Sequence, residues 1–272
     1  MIKKAIIPAA GMGTRSLPIT KVLPKEMFPI CGRPAIDYLV EEAIEAGIEE
    51  ILIVTSRSKD MIIDYYDRSI ELEEHLKAKH KSDLIKIITP PNVHLQYVRQ
   101  IEPTGLGSAI LLGKSFVGSD PFVVMLPDEI MITKEENILT QLINMYQSHK
   151  GNIIALKKVR KNELKHYGVV EAEEISKECY KVLDIIEKPQ LNPPSQLAVI
   201  GRYVFDPEIF QYLSDLKPGV GAEIQLTDGI QKMLANKDCY GIEINGDRYD
   251  IAQETEYVKL INFLFHKLNG KV

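Results

Sequence analysis

A cluster of small and cationic residues near the amino terminus carries the first chemical signal. From Ile6 to Ile30 the chain reads IIPAAGMGTRSLPITKVLPKEMFPI, an apolar run that turns through Ala9, Ala10, Gly11 and Gly13 and then presents Arg15, Lys21 and Lys25. Small residues let backbone N–H groups approach an anion closely, and Arg and Lys add charge and donors, so the stretch suits a phosphate chain. A tight turn with a few solvated cations is the competing reading. Density favours the ligand, because three cations and four small residues fall within seventeen positions. Asp128 follows an apolar run in LPDE. An acid at the carboxyl end of a strand in an open parallel sheet faces the ligand crevice, although capping the next turn would also explain it.

Two familiar phosphate motifs do not fit. A P-loop needs GxxxxGK followed by Ser or Thr, and the chain has none in its two Gly-rich turns. A dinucleotide fingerprint needs GxGxxG running into a helix, but GMGTRS places Ser16 at the third Gly, and Pro18 and Pro24 would each cost about 3 kcal/mol inside a helix. Nucleotidyl transfer to a sugar phosphate fits the inventory better. The attacking phosphate oxygen is already ionised near neutral pH, so the protein must neutralise two anions, hold them in line and stabilise the leaving pyrophosphate. Mg2+ with one or two carboxylates, plus Arg and Lys, suffices. Arg15, Lys25, Asp128, Lys188 in IIEKPQ and Asp250 in DRYDIAQ supply that set.

These residues need elements to hold them. Lys4 to Pro8 reads as a strand, Ala35 to Ala46 as an amphipathic helix ended by Gly47, and Glu49 to Thr55 as a buried strand. That order opens a parallel, right-handed α/β unit. Lys59 to Lys81 is charged and helical in period. His94 to Arg99 alternates as a strand, Glu102 to Lys114 is a second small-residue turn leading into a helix, and Pro121 to Leu126 is an apolar strand. A helix at Asn137 to Ser148 and a strand at Asn152 to Val159 follow. Then Tyr167 to Glu171, Val182 to Glu187 and Leu197 to Phe205 read as strands without helices between them, which predicts antiparallel or mixed pairing. Helices at Asp206 to Leu213, Leu226 to Ala235 and Glu254 to Leu268, with a strand at Tyr240 to Ile244, complete the pattern. The expected fold class is α/β: a single Rossmann-like domain with a central mixed, mostly parallel β-sheet flanked by helices.

Composition narrows the function. The chain has 272 residues, 45% of them hydrophobic, enough for one large core. Its net charge of -5 and lack of a basic tract give no nucleic-acid partner. With no secretory h-region and no long apolar span, the reading is no membrane and a cytoplasmic location. Cys31, Cys179 and Cys239 lack disulfide or zinc spacing, and the six histidines are scattered.

The motifs carry a family resemblance. PAAGMGTRSLPITKVLPKEMFPI resembles the opening of bacterial UTP-glucose-1-phosphate uridylyltransferases, within the wider sugar nucleotidyltransferase group. The likeness continues through YVRQ (97–100), TGLGSAI (104–110), LPDE (126–129), YGVV (167–170), IIEKP (185–189), VIGRYVF (199–205), EIQLTD (223–228) and RYD (248–250). GxGTR marks only the wider group; KEMFPI, RQ before GLG, and EIQLTD mark the uridylyltransferase branch. The resemblance implies a nucleotide-diphospho-sugar transferase fold across 1–272, with a nucleotide-binding part over about 1–130, a sugar-phosphate part over about 131–253 and a closing helix at about 254–268. Ala9, Ala10, Gly11, Gly13 and Thr14 would meet the nucleotide, with Glu26 and Gln100 near the base and Gly105 leaving room for base or ribose. A Gln amide can both accept from the uracil N3–H and donate to a ring carbonyl. Arg15 and Lys25 would hold the UTP phosphates, Asp128 and Asp250 the Mg2+, Gly168 and Glu187 the glucose hydroxyls, and Lys188 the sugar phosphate.

The implied reaction makes UDP-glucose and pyrophosphate from UTP and glucose 1-phosphate, in a homo-oligomer, either dimer or tetramer. Thymidylyl transfer, another hexose 1-phosphate and a non-catalytic sugar-nucleotide binder are the alternatives; an NAD-dependent oxidoreductase is disfavoured by the prolines after GMG. One departure bears on activity. The family pattern after the last aspartate is x-Gly, whereas this chain reads Asp250-Ile251-Ala252. If that Gly serves a positive φ or a close approach, Ala252 costs roughly 1 kcal/mol or shifts the loop, with slower catalysis as the consequence.

Overall fold

The computed structural model describes residues 1–133, 136–219 and 222–270. The chain begins with β1 (Lys4–Pro8), a small ribbon of β2 (Pro29–Ile30) and β3 (Arg33–Pro34), then α1 (Ala35–Glu45) and β4 (Glu50–Thr55). Three helices, α2 (Asp60–Tyr66), α3 (Ile70–Ala78) and α4 (Ser82–Ile88), lead to β5 (His94–Arg99). Next come α5 (Leu106–Leu111), α6 (Lys114–Val117), β6 (Phe122–Met125), β7 (Glu129–Ile132), α7 (Ile138–His149) and β8 (Asn152–Lys158). The second half holds β9 (Gly168–Ser176), β10 (Cys179–Glu187), β11 (Leu197–Phe205), α8 (Ile209–Ser214), α9 (Leu226–Leu234), β12 (Cys239–Glu243), β13 (Asp247–Asp250) and α10 (Glu254–Leu268).

The main sheet has the order β5-β4-β1-β6-β11-β8-β12-β10-β9. Pairings from β5 through β4 and β1 to β6 are parallel, as is β8 with β12; the others are antiparallel. The expected α/β class with a mixed sheet holds, but the sheet is not mostly parallel: its parallel block is concentrated in the amino-terminal half, and apart from β8 with β12 the strands of the second half pair antiparallel. Successive strand residues face opposite sides, so Ile7 enters one core with Leu39, Val123, Leu142 and Leu260, while Ile6 enters the other with Ile110, Val124, Phe205 and Leu213. Each such side chain contributes about 1.5–3 kcal/mol on burial. The sheet is therefore fixed on both faces, and its strand ends are fixed with it.

Several expected elements divide or are joined by others. Lys59 to Lys81 becomes α2 and α3 with a break at 67–69, where Arg68 pairs with Glu73 (2.5 Å) instead of continuing a helix. The sequence reading held no strand at 129–132 or 247–250. The structure pairs them antiparallel, Glu129 opposite Asp250, in a separate ribbon. Four residues with the polarity of DRYD carry no readable alternation.

One buried cation ties this ribbon to the sheet. Arg202 of β11 is fully buried; it donates from Nε and Nη2 to the Glu42 carboxylate of α1 (2.9 and 2.7 Å) and from Nη2 to Glu129 O (3.0 Å). Its Nη1 donates to Gly201 O (2.9 Å) and Leu126 O (3.3 Å). Removing one partner of a buried pair strands the other charge. Arg202→Met is expected to lower unfolding free energy by about 3 kcal/mol, read as a lower urea midpoint at unchanged slope.

Candidate active site

Pro18 and Pro24 keep the loop after β1 out of an α-helix, and it runs instead through short 3-10 turns at Thr14–Ser16, Ile19–Lys21 and Lys25–Met27. Gly13 takes φ +67, and Thr20 Oγ1 donates to its carbonyl (2.8 Å). Ala9 N–H donates to Val54 O (2.8 Å), so Ala9 extends the sheet. Ala10, Gly11 and Thr14 line the cleft beyond it, and a Cβ at Gly11 would meet nothing within 4 Å. Close approach to that backbone is open.

Charge concentrates where this loop crosses the end of β6. Lys25 Nζ donates to Asp128 Oδ2 (2.7 Å), Arg15 Nη2 donates to the same oxygen (3.0 Å), and Arg15 Nη1 donates to Asp250 Oδ2 (2.7 Å). Burial works against the charged Asp128 carboxylate, but Lys25 and Arg15 outweigh it and hold its pKa down at about 2. Burial likewise opposes the cations, yet Asp128 raises Lys25, and Asp250 with Asp128 raises Arg15. Asp250 also accepts from Ala252 N–H (3.0 Å) on Oδ1 and from Gln253 Nε2 (3.0 Å) on Oδ2.

Gly168, Glu187 and Lys188, expected to meet the sugar phosphate, lie together in the cleft. Gly168 opens β9 opposite Glu187, the last residue of β10. A Cβ at Gly168 would stand 2.9 Å from Thr227 Cγ2 and 3.5 Å from Glu187 Oε2, so glycine is needed for this packing. Thr227 Oγ1 donates to Glu187 Oε2 (3.0 Å), and Lys188 Nζ pairs with Glu187 Oε1 (3.0 Å). Lys188 takes φ +45, with its N–H bonded to Tyr167 O (2.9 Å).

Two chambers adjoin. One, of about 450 Å³, is lined by Ala10, Gly11, Thr14, Lys25, Gln100 and Gly105. The other, of about 630 Å³, is lined by Arg15, Tyr167, Gly168, Glu187, Lys188 and Asp250. Asp128, Leu126, Leu106 and Glu223 belong to both walls. Lys21 is exposed and lines neither.

Two placements differ in detail from the sequence reading. Glu26 is fully buried, and Lys59 Nζ donates to both its oxygens (2.8 Å each), so its carboxylate faces that lysine beneath the loop. Burial pulls the Lys59 pKa down, and Glu26 offsets this only in part. Gly105 has φ +109, and a Cβ there would lie 2.7 Å from Ile224 O and 2.8 Å from Ile224 N. The room it leaves is occupied by the backbone of the EIQLTD segment, whose Ile224 N–H bonds Thr104 O (2.8 Å). Lys59, Thr227, Glu129, Tyr167 and Arg248 were assigned no role from the sequence. All but Lys59 sit in motifs already singled out (LPDE, YGVV, EIQLTD, RYD), so motif membership was the available signal.

The cleft also fits a divalent cation. Asp128 and Asp250 face one another closely enough to share a single guanidinium, a cation bridging both carboxylates. Among the described residues no group of three or more His, Cys, Asp or Glu is arranged for a metal, so any ion held by this pair would need further ligands from elsewhere. Among the same residues no helix is long and apolar enough to cross a membrane.

Adjoining chambers that meet at an acid and two cations, above parallel strand ends, define a group-transfer enzyme acting on phosphorylated ligands. The chain belongs to the nucleotidyl transferase family, whose family model matches residues 4–264. A UTP–glucose-1-phosphate uridylyltransferase of Bacillus subtilis (strain 168) is 43% identical over 260 residues, covering 94% of this chain and 89% of the relative. A UDP-glucose pyrophosphorylase structure complexed with UDP-glucose is 41% identical with a TM-score of 0.88, covering 98% and 100% of the two chains. The UTP-bound UGPase from Acinetobacter baumannii is 39% identical with a TM-score of 0.90, covering 98% and 94%. The resemblance drawn from the motifs is thereby confirmed.

Ala252 does not have positive φ, and it is buried with its N–H on Asp250. The strain expected from replacing glycine does not arise. Ala252→Gly should therefore lower stability by up to about 1 kcal/mol through chain entropy, where a strained alanine would have given a gain in thermal unfolding. Asp128 supplies a second test. Its folded pKa of about 2 lies below the ordinary 3.8, so its contribution of about 2 kcal/mol is complete above about pH 4 and is lost as pH falls through about 2. The stability difference between the parent and Asp128→Asn should shrink over that window in denaturant titrations at stepped pH.

Proposed function

We propose that the protein transfers the uridylyl group of UTP to glucose 1-phosphate, giving UDP-glucose and pyrophosphate. The observation that carries this reading is that Asp128, gripped by Lys25 and Arg15, stands in the wall common to both chambers, where an attacking phosphate and an α-phosphorus would meet. The relatives named for the same reaction support it.

In this reading residues 1–130 bind the nucleotide, 131–253 the sugar phosphate, and 254–268 form the closing helix. Ala10, Gly11, Gly13 and Thr14 bring backbone to the UTP, with Ala9 holding the turn to the sheet. Gln100 Nε2 donates to Gly105 O (3.2 Å) and Ser108 Oγ (2.7 Å), which leaves its carbonyl oxygen to accept the uracil N3–H. Glu26 supports the loop from below through Lys59, and Gly105 docks the EIQLTD segment beside the base. Arg15 and Lys25 neutralise the triphosphate. Gly168 and Glu187 accept the glucose hydroxyls, and Lys188 steers the sugar phosphate. A phosphate oxygen of the sugar forms the new bond to the α-phosphorus as the bond to pyrophosphate breaks, with no side-chain base required.

Members of this family generally use a divalent metal, and Mg2+ is our assignment, with Asp128 and Asp250 as the residues that would hold it. When bound it would neutralise charge on the phosphate oxygens. The reading includes a cytoplasmic homo-oligomer, dimer or tetramer. Ala252 takes no positive φ, so backbone strain gives no reason to prefer a non-catalytic binder.

Pyrophosphate release with Mg2+ should be fastest for UTP with glucose 1-phosphate when dTTP and galactose 1-phosphate are compared; a preference for dTTP or no release from any pair would overturn the reading. Asp128→Asn should lower turnover by about 100-fold or more while remaining folded.

A further inference from the structure

Arg248 enters the cleft from β13 with its donors aimed at different parts of the site. Its Nε donates to Glu129 Oε2 (3.0 Å), its Nη1 donates to Tyr167 Oη (2.7 Å), and its Nη2 stands 3.9 Å from Asp250 Oδ2. The guanidinium also lies over the Tyr167 ring, 4.9 Å from its centroid. Only 9% of the side chain is exposed, so this is a planar fork fixed on several partners, a geometry that lysine does not reproduce.

Each partner leads onward to a placed element. Glu129 Oε2 accepts Gly201 N–H (3.1 Å), which anchors the fork to β11. The Tyr167 carbonyl accepts Lys188 N–H (2.9 Å), and Gly168, next in the chain, pairs with Glu187. A continuous path thus runs from Asp250 through the guanidinium and Tyr167 to Glu187 and Lys188. It joins the ribbon of β7 and β13 to the hairpin of β9 and β10, both of which line the larger chamber.

We propose that Arg248 is a positioning residue that sets the sugar-phosphate side of the cleft against the nucleotide-phosphate side, acting through Tyr167 on Lys188 and Glu187. The assignment rests on the uridylyl-transfer reading. In-line attack tolerates little error, and a displacement near 1 Å can cost about 100-fold. A link that fixes the sugar side without reaching the uracil end should show in the kinetics of one substrate and not the other.

Tyr167→Phe removes the hydroxyl that accepts from Arg248 and keeps the ring. Arg248→Lys keeps the charge and one donor for Glu129 but cannot reach both partners. In each variant KM for glucose 1-phosphate should rise and kcat fall, by about tenfold between them, while KM for UTP stays within about twofold. The double variant should be no worse than Arg248→Lys alone, because both changes cut the same link. Equal shifts in both KM values, multiplying effects in the double variant, or a Tyr167→Phe enzyme matching the parent would overturn the assignment. Should Arg248→Lys fail to fold, the Tyr167→Phe split between the two KM values decides alone. An inactive parent overturns the functional reading and this assignment with it, whereas an active parent with unsplit variants overturns this assignment only.

Discussion

A carboxylate at the end of a buried strand keeps its charge only if cations reach it, and Asp128 is such a group. Lys25 and Arg15 come to it from more than a hundred residues away in sequence, so the loop after β1 has to lie across the strand ends. The loop cannot do this as a helix, and its prolines and short 3-10 turns keep it extended enough to span the gap. It is held from beneath as well. Glu26 follows Lys25 and is pinned to Lys59 of the segment after β4, so the cation facing Asp128 has a fixed backbone. One charge requirement therefore links the loops after β1, β4 and β6 with the ribbon that carries Asp250.

The topology explains why these groups converge. β6 is the last strand of the parallel block, and its other neighbour, β11, runs antiparallel to it. The chain leaving β6 finds no further parallel strand beside it. It instead turns out into β7, which pairs with β13. Arg202 of β11 holds that turn by its carbonyls, and Ile251 N–H bonds Asp128 O (2.9 Å), so both aspartates are presented by backbone fixed on two sides. The reversal of strand direction is thus where the cleft opens, as open α/β sheets lead one to expect.

Much of this was legible in the sequence because it is periodic. β1, β5, β11 and α10 occupy the residues that the apolar pattern assigns them, and the buried strands and amphipathic helices leave little ambiguity. Arg15, Lys25 and Asp128, which the structure brings together, drew attention because prolines and small residues exclude the other phosphate motifs, whereas Glu187 and Lys188 took their roles only from the family resemblance. What escaped lacks a local signature. β7 and β13 are four residues each and exist through one another, and the side-chain partners Tyr167 and Glu129 of Arg248 and Glu42 of Arg202 lie 81 to 160 positions away. Gly105 shows the limit differently. A glycine in a small-residue turn suggests space for a ligand, but that space is taken by the Ile224 backbone, and only the folded chain can say which neighbour a missing side chain admits.

The charge cluster is also arranged so that one member can leave cheaply. Asp128 retains Lys25 without Arg15, and Asp250 retains the Ala252 N–H and Gln253 Nε2, so neither acid is stripped if the guanidinium swings away. Lys25 is nearly buried at 13% exposure, whereas Arg15 is 54% exposed and reaches the acids from the solvent side. In the uridylyl-transfer reading proposed above, an incoming triphosphate would offer Arg15 a stronger partner at little cost to the acids, and a divalent cation, which Asp128 and Asp250 would hold, would restore the charge that Arg15 withdraws. Lys25 would then remain as the fixed reference for the phosphates while Arg15 adapted to them. The two cations, ten residues apart in one loop, differ in burial, and that difference fits the division of tasks in the proposed reaction.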